Sequence, residues 1–277
     1  MLHLHNIING VWMIEKSFAT NYLPYVTDFL QNPTKAVAKR KSEKFLSIYN
    51  GYDSRAHIHA LKNAPENSIA VINICGAITK YDQFCGPDGL QSKAEILKHC
   101  YANDNISGVV LKIDSGGGSA TAMFLMQEAI SERTKEVVAF IDDLACSAAY
   151  GIASACDYIV ANRATAQIGS IGAYLTIANF QKYFQKRGIE VRDVYATLST
   201  DKNEEIRQAL DGNDAPLLKM IDTFNESFLA SIEKNREGKL SAGRDVWGTG
   251  KVWFAEDALK LGLIDEINSF QNVIKLI

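Results

Sequence analysis

A length of 277 residues suits one large α/β domain with decorations, and 47% hydrophobic content is enough for a real core, which favours one domain over two independent ones. Its 29 Lys and Arg against 32 Asp and Glu give a formal charge of -3, so no basic field invites nucleic acid. Five cysteines, at positions 75, 85, 100, 146 and 156, are odd in number and lack C-x-x-C spacing; they suit a reducing compartment and do not resemble a disulfide framework or zinc site.

No apolar run approaches the length of a membrane span, and the first residues contain Asn, Glu, Lys and His where a signal peptide needs a continuous apolar core. These observations predict a chain with no transmembrane segment, in the cytoplasm. Residues 1–65 read as an N-terminal extension, mostly helical, with two short helices between Trp12 and Leu30 and a basic run from Lys35 to Phe45 that suits a solvated helix face. His57 and His59 stand in a metal-compatible pair, but two ligands alone do not make a site. The main domain is placed at 66–267 and a tail at 268–277. Asn67 to Gly76 supplies the first core strand, Ile78 to Gly89 a loop, and Gln91 to Asn103 a helix.

The central stretch begins with Val109 to Ile113, whose near-continuous apolar run suits a parallel strand covered on both faces. It stops at Asp114-Ser115-Gly116-Gly117-Gly118, where three glycines leave backbone N–H groups without a shielding Cβ. Helical spacing resumes from Ala120 to about Arg133, so the loop lies at the carboxyl end of a strand, where open α/β sheets put ligands. Neither a dinucleotide fingerprint nor a Walker loop is present. Ser115 and Ser119 flank the glycines and are expected to tolerate substitution. A second strand, Val137 to Ile141, runs through Asp142 and Asp143 to Ser147, which opens a helix of small residues from Ala148 to Ala153. At that place a serine is either a helix cap or a group set where negative charge is favoured, and both readings stand.

Further on, Ala178 to Gly188 reads as a helix with a glycine stop, Glu190 to Ala196 as a strand, and Pro216 to Glu233 as a long helix. The broad apolar stripe of that helix fits core packing with or without a subunit interface. Val252 to Phe254, Ala255 to Leu261 and Gly262 to Ile264 read as strand, helix and strand, and the apolar end NVIKLI as a tail that docks on a neighbour.

Four segments in this order, IDSGGGSA, ACSAAYGIASACDYIVAN, IGSIG and GKVWFAEDALKLGLIDEI, resemble the signatures of signal peptide peptidase A and its relatives, the head-maturation proteases of tailed phages. The likeness covers roughly Ser68 to Ile267. It implies an α/β, Clp protease/crotonase-like fold with a parallel-sheet core and repeated strand-turn-helix units. It further implies a serine endopeptidase with Ser147 as nucleophile, Lys202 as general base and Ser170 holding the lysine. Two departures accompany it: Ala148 and Ala149 stand where the family has glycines, and Leu198-Ser199 where it has Ser-Gly before the lysine.

On this resemblance the oxyanion hole combines a backbone N–H among Gly116, Gly117 and Gly118 with that of Ala148. An extended protein or peptide substrate then lies between the edge near Gly117 to Ser119 and the segment Ile171 to Tyr174, with Ile171 and Gly172 as binding residues, and pairs through its backbone like an added strand. No metal or cofactor is implied. The implied partners are further copies of the chain and phage scaffold or capsid proteins, in the host cytoplasm or the prohead. A serine hydroxyl needs a base, and all five histidines, at 3, 5, 57, 59 and 99, precede the glycine loop. A lysine serves only when desolvated without a carboxylate partner, which makes Asp201, Glu204 and Glu205 awkward neighbours for Lys202. Three rivals remain: a cellular peptidase of signal-peptide remnants, a crotonase-type acyl-CoA enzyme, and an inactive structural or scaffold-binding subunit.

Overall fold

The computed structural model describes residues 12–14, 46–49, 53–56, 61, 63–83 and 88–277. Its centre is strand β5 (Ile106–Ser115), paired in parallel with β4 (Ser68–Cys75) on one side and β7 (Glu136–Cys146) on the other. Val109, Leu111 and Ile113 enter one hydrophobic cluster and Val110 enters a second on the opposite face. This two-sided burial accounts for the unbroken apolar run, and it extends the expected strand at both ends.

The described residues form a nine-stranded, mostly parallel sheet that also contains β2 (Leu46–Tyr49), β3 (Asp53–Ala56), β8 (Tyr158–Ala161), β9 (Gln167–Gly169), β10 (Val252–Phe254) and β11 (Glu266–Ile267). Only β2, β3 and β10 run antiparallel to their neighbours. Over the larger face lie α1 (Leu90–Tyr101), α2 (Ala120–Ser131), α3 (Ala148–Ser154) and α6 (Ala215–Asn235). With their preceding strands, α2 and α3 form the repeated strand-turn-helix units of the expected α/β architecture. A separate two-stranded sheet pairs β1 (Trp12–Ile14) with β6 (Gly117–Ser119) in antiparallel register.

Several expectations change. The described stretches of the N-terminal extension include three strands where helix was expected, and β2 belongs to the main sheet. His57 and His59 lie outside the described residues. Glu190 to Ala196 forms no strand, since Val191 and Val194, 55% and 83% exposed, find no sheet edge to pair with. Helix α4 (Gln181–Lys186) is shorter than expected. The final sheet strand is β11, parallel to β8, in place of Gly262 to Ile264, which carries the chain out of α8 (Ala255–Lys260).

The apolar tail folds back on its own sheet. In α9 (Phe270–Val273), Val273 is fully buried and Phe270 meets Phe140 with ring centroids 5.0 Å apart. This covers Val71, Val110, Val138 and Val160, which the large helices leave bare on the second face.

Past α6, the short α7 (Arg244–Trp247) leads to the closing elements, and a buried ion pair fastens them. Arg236, 1% exposed, donates to both carboxylate oxygens of Asp265 at 2.9 and 3.0 Å and to the Gly262 carbonyl. Asp265 also accepts from the Ile159 N–H at 2.8 Å and from Lys239, which ties the end of α6 to β8. Burial opposes the charge of this carboxylate, but hydrogen bonds from Arg236 and Lys239 outweigh burial and hold its pKa below the usual range. A depressed carboxylate pKa contributes stability that is fully present above the unfolded value, about 3.9, and is lost as pH falls through the folded value. Asp265→Ala, which strands the guanidinium, is expected to cost about 3–5 kcal/mol in urea unfolding at pH 7. The difference from wild type should narrow as the pH is lowered below about 4; a gap independent of pH would contradict this account.

Candidate active site

Strand β7 has two successive partners on the same side. Val138 to Ile141 pair with β8, and Leu144 to Cys146 pair with β9. On its other side the register with β5 jumps from Ile113↔Ile141 to Ser115↔Ala145, so Asp142 and Asp143 bulge out between the two halves. Asp114 lies beside this bulge; burial first, then Asp143 and Asp142, push its pKa up.

The upper half of β7 ends at Ser147. Its backbone has φ 56° and ψ -122°, a region that side-chain-bearing residues avoid. Two hydrogen bonds hold it there. The Ser147 N–H donates to the Gly169 carbonyl at 2.7 Å, and its carbonyl accepts from the Gly151 N–H at 2.9 Å. The hydroxyl makes no helix-capping bond; instead it donates to the Gly172 carbonyl at 3.4 Å, and the residue is 1% exposed. Every residue of α3 is buried, which explains the run of small side chains after Ser147.

Opposite lies the glycine segment, and α3 packs against it. It is a strand, β6, where a loop was expected. Gly117 has φ +100°, and a Cβ on Gly118 would stand 2.2 Å from the Ile78 carbonyl oxygen. The Ile78 N–H donates to the Gly117 carbonyl and the Ser119 N–H to the Ile78 carbonyl, both at 2.9 Å. Ser115, which the sequence marks as tolerant, is fully buried; its Oγ donates to the Gly76 carbonyl at 2.6 Å and accepts from the Gly117 N–H at 3.1 Å. That serine pins the glycine turn and occupies one of the three candidate oxyanion donors. Ser119 also has a role, accepting from the Ala122 N–H as the cap of α2.

Beyond β9, Ser170 has φ 49° and donates its N–H to the Lys251 carbonyl at 2.7 Å, while the Gly250 N–H donates to the Ile171 carbonyl at 2.9 Å. The approach to β10 thus fixes the backbone whose next carbonyl, on Gly172, receives the Ser147 hydroxyl. One locality therefore gathers Ser147, Ala148, Ser170, Ile171 and Gly172 beside the glycine strand. Lys202 is not joined to it by any hydrogen bond. It lies just before α5 (Glu204–Leu210), is exposed, and among the described residues its amine has no hydrogen-bond or ion-pair partner. The acidic neighbours have other partners, Asp201 accepting from Thr200 and Glu204 from Gln208. No residue of α4 or α5 is buried, and Phe180, Val194 and Leu198 are exposed by 47%, 83% and 95%.

Among the described residues no cluster of His, Cys, Asp and Glu could hold a metal ion, and no helix is long and apolar enough to cross a membrane. The chain is similar to Protease 4 of Haemophilus influenzae, 30% identical over 76% of this chain and 34% of that protein. It is also similar to the head-tail preconnector protein of Enterobacteria phage P21, 27% identical over 76% of this chain and 42% of that one. With the capsid assembly protease of Escherichia phage lambda the identity is 26%, over 73% and 46%. The chain thus spans less than half the length of each of these relatives. Among solved structures, an enoyl-CoA hydratase from Shewanella pealeana aligns with 79% of this chain and 74% of its own, at 13% identity and a TM-score of 0.45. The sequence model of peptidase family S49 matches residues 129–277, more than half of the chain and the whole run from α3 to α9, and the chain belongs to that family.

Proposed function

We propose that this protein is a serine endopeptidase that cuts extended segments of other proteins, with Ser147 as nucleophile and Lys202 as general base. The observation that carries this reading is the strained backbone at Ser147. A site that only binds a thioester oxygen needs N–H donors and has no use for a hydroxyl held at φ 56°. Strain of this kind persists where surrounding bonds over-determine it, and it concentrates at reacting groups.

In the proposed reaction the Ser147 Oγ attacks the scissile carbonyl and passes its proton to the Lys202 amine. The oxyanion is met by the Ala148 N–H, in the first turn of α3, and by an N–H of the Gly116 to Gly118 segment. The proton then goes to the leaving amine, and water releases the acyl group from Ser147. Ser170 orients the amine. General-base action needs a desolvated lysine, and the exposed position of Lys202 meets that need once its segment is covered. The apolar side chains of Phe180, Val194 and Leu198 suit burial against a further copy of the chain, so the working form is a homo-oligomer that shields its sites. Likeness to phage proteins named for preconnector and capsid assembly supports scaffold or capsid proteins as substrates.

Two sets of variants test the assignment. Ser147→Gly and Ser147→Ala should both abolish cleavage of a capsid or scaffold substrate followed by mass spectrometry. Only the glycine variant should gain stability, by about 1–3 kcal/mol, because it alone relieves the backbone. Cleavage by either variant at the wild-type rate excludes Ser147 as nucleophile. Lys202→Arg should fail as completely as Lys202→Ala, since a guanidinium keeps its proton at any workable pH. Substantial turnover by the arginine variant would assign the base to another residue.

A further inference from the structure

Strand β6 has two edges, and both are taken. One faces Ile78, which uses the Gly117 carbonyl and the Ser119 N–H. Alternation along a strand sends the N–H and carbonyl of Gly118 to the other edge. There β1 lies antiparallel, with Met13 across from Gly118, Trp12 from Ser119 and Ile14 from Gly117. An extended peptide added to the glycine strand would need this same edge.

We propose that the segment carrying Trp12 to Ile14 is an intramolecular competitor of the substrate, seated on the substrate edge of β6 and displaced before a peptide is cut. The proposal rests on the peptidase reading and adds to it a built-in occupant of the peptide site. Two features make the occupant exchangeable, and a third fits a closed form. The pairing spans three residues and forms a ribbon of only two strands, which is marginal in stability. Gly117 and Gly118 offer no side chains, so the edge recognises backbone and accepts other sequences in place of β1. Ser147 is 1% exposed, as a closed form requires.

A tethered competitor that holds the edge nine-tenths of the time weakens apparent peptide affinity about tenfold. Because it acts on access alone, it raises KM and leaves kcat unchanged. Met13→Pro removes the N–H that faces Gly118 and cannot sustain the pairing, whereas Met13→Ala keeps the backbone donor. Binding of a fluorescently labelled extended peptide should therefore be measured by anisotropy in full-length Ser147→Ala protein, alone and combined with each Met13 substitution. Met13→Pro should tighten binding about tenfold and Met13→Ala should not. In the active protein, Met13→Pro should lower KM by the same factor at constant kcat. Unchanged binding, or a loss of binding or kcat by Met13→Pro in protein of native circular dichroism, overturns the proposal and makes β1 either irrelevant or part of the site. Should Met13→Pro misfold, a synthetic peptide of residues 8–17 should displace the labelled peptide from the Ser147→Ala protein, and its proline counterpart should not; equal displacement by both, or by neither, also overturns it. Tighter binding without turnover in any variant would leave the competitor standing and remove the peptidase reading instead.

Discussion

A strand that outruns its first partner and takes up a second on the same side is the constraint on which the site depends. Because β8 stops at Ala161, β7 must bulge at Asp142 and Asp143 before β9 can receive its upper half. The extra length carries Cys146 into register with Gly169 and Ser147 to the end of the strand. There the Gly169 carbonyl holds the Ser147 N–H at 2.7 Å. Without β9, the conformation at Ser147 would keep only the Gly151 bond to oppose its strain.

Everything beneath that point is rigid for ordinary reasons. Core residues fill both faces of the sheet, and α3, closed over by α2 and α6, is buried throughout, with alanine, glycine and serine at five of its seven positions. Gln127 of α2 reaches the Gly151 carbonyl at 2.7 Å and Ser231 of α6, so a side-chain amide satisfies backbone at the crowded junction. The segment from Ile177 to Leu210 has few such constraints, with apolar groups left in water and little burial. Regions of low burial open at little cost, and this one carries Lys202. The protein thus joins a well-determined region around Ser147 to a loosely determined lysine-bearing region.

Much of the scaffold is legible in the sequence because apolar pattern and burial coincide. Val109 to Ile113, Asn67 to Gly76 and Pro216 to Glu233 each announce their element, and each is there with modest changes at the ends. Strand β6 escapes such reading because two of its three residues are glycines and carry no periodicity. Ser115 escapes for a different reason: a serine beside glycines looks like a turn residue until the Gly76 carbonyl is brought within 2.6 Å by a strand 39 residues away. Glu190 to Ala196 shows the opposite error, since β-favouring residues make a strand only where an edge is available. The location of Ser147 at a strand-to-helix junction is written in the local pattern. Its backbone strain depends on Gly169 and Gly151 and is visible only in three dimensions.

The bond from the Ser170 N–H to the Lys251 carbonyl joins positions far apart in the chain and has a consequence for synthesis. Chains emerge from the ribosome N-terminus first, and contacts of long sequence separation form late. Strands β4, β5 and β7, with Ser147 itself, emerge well before Lys251 and β10. Until that last stretch is out, the backbone from Ser170 to Gly172 lacks its outer support, and so does the carbonyl that faces the Ser147 hydroxyl. During that stretch of synthesis the nascent protein carries Ser147 and the inner strands of its sheet without the support that Lys251 gives to the Ser170 to Gly172 backbone, so the candidate site is completed only near the end of translation.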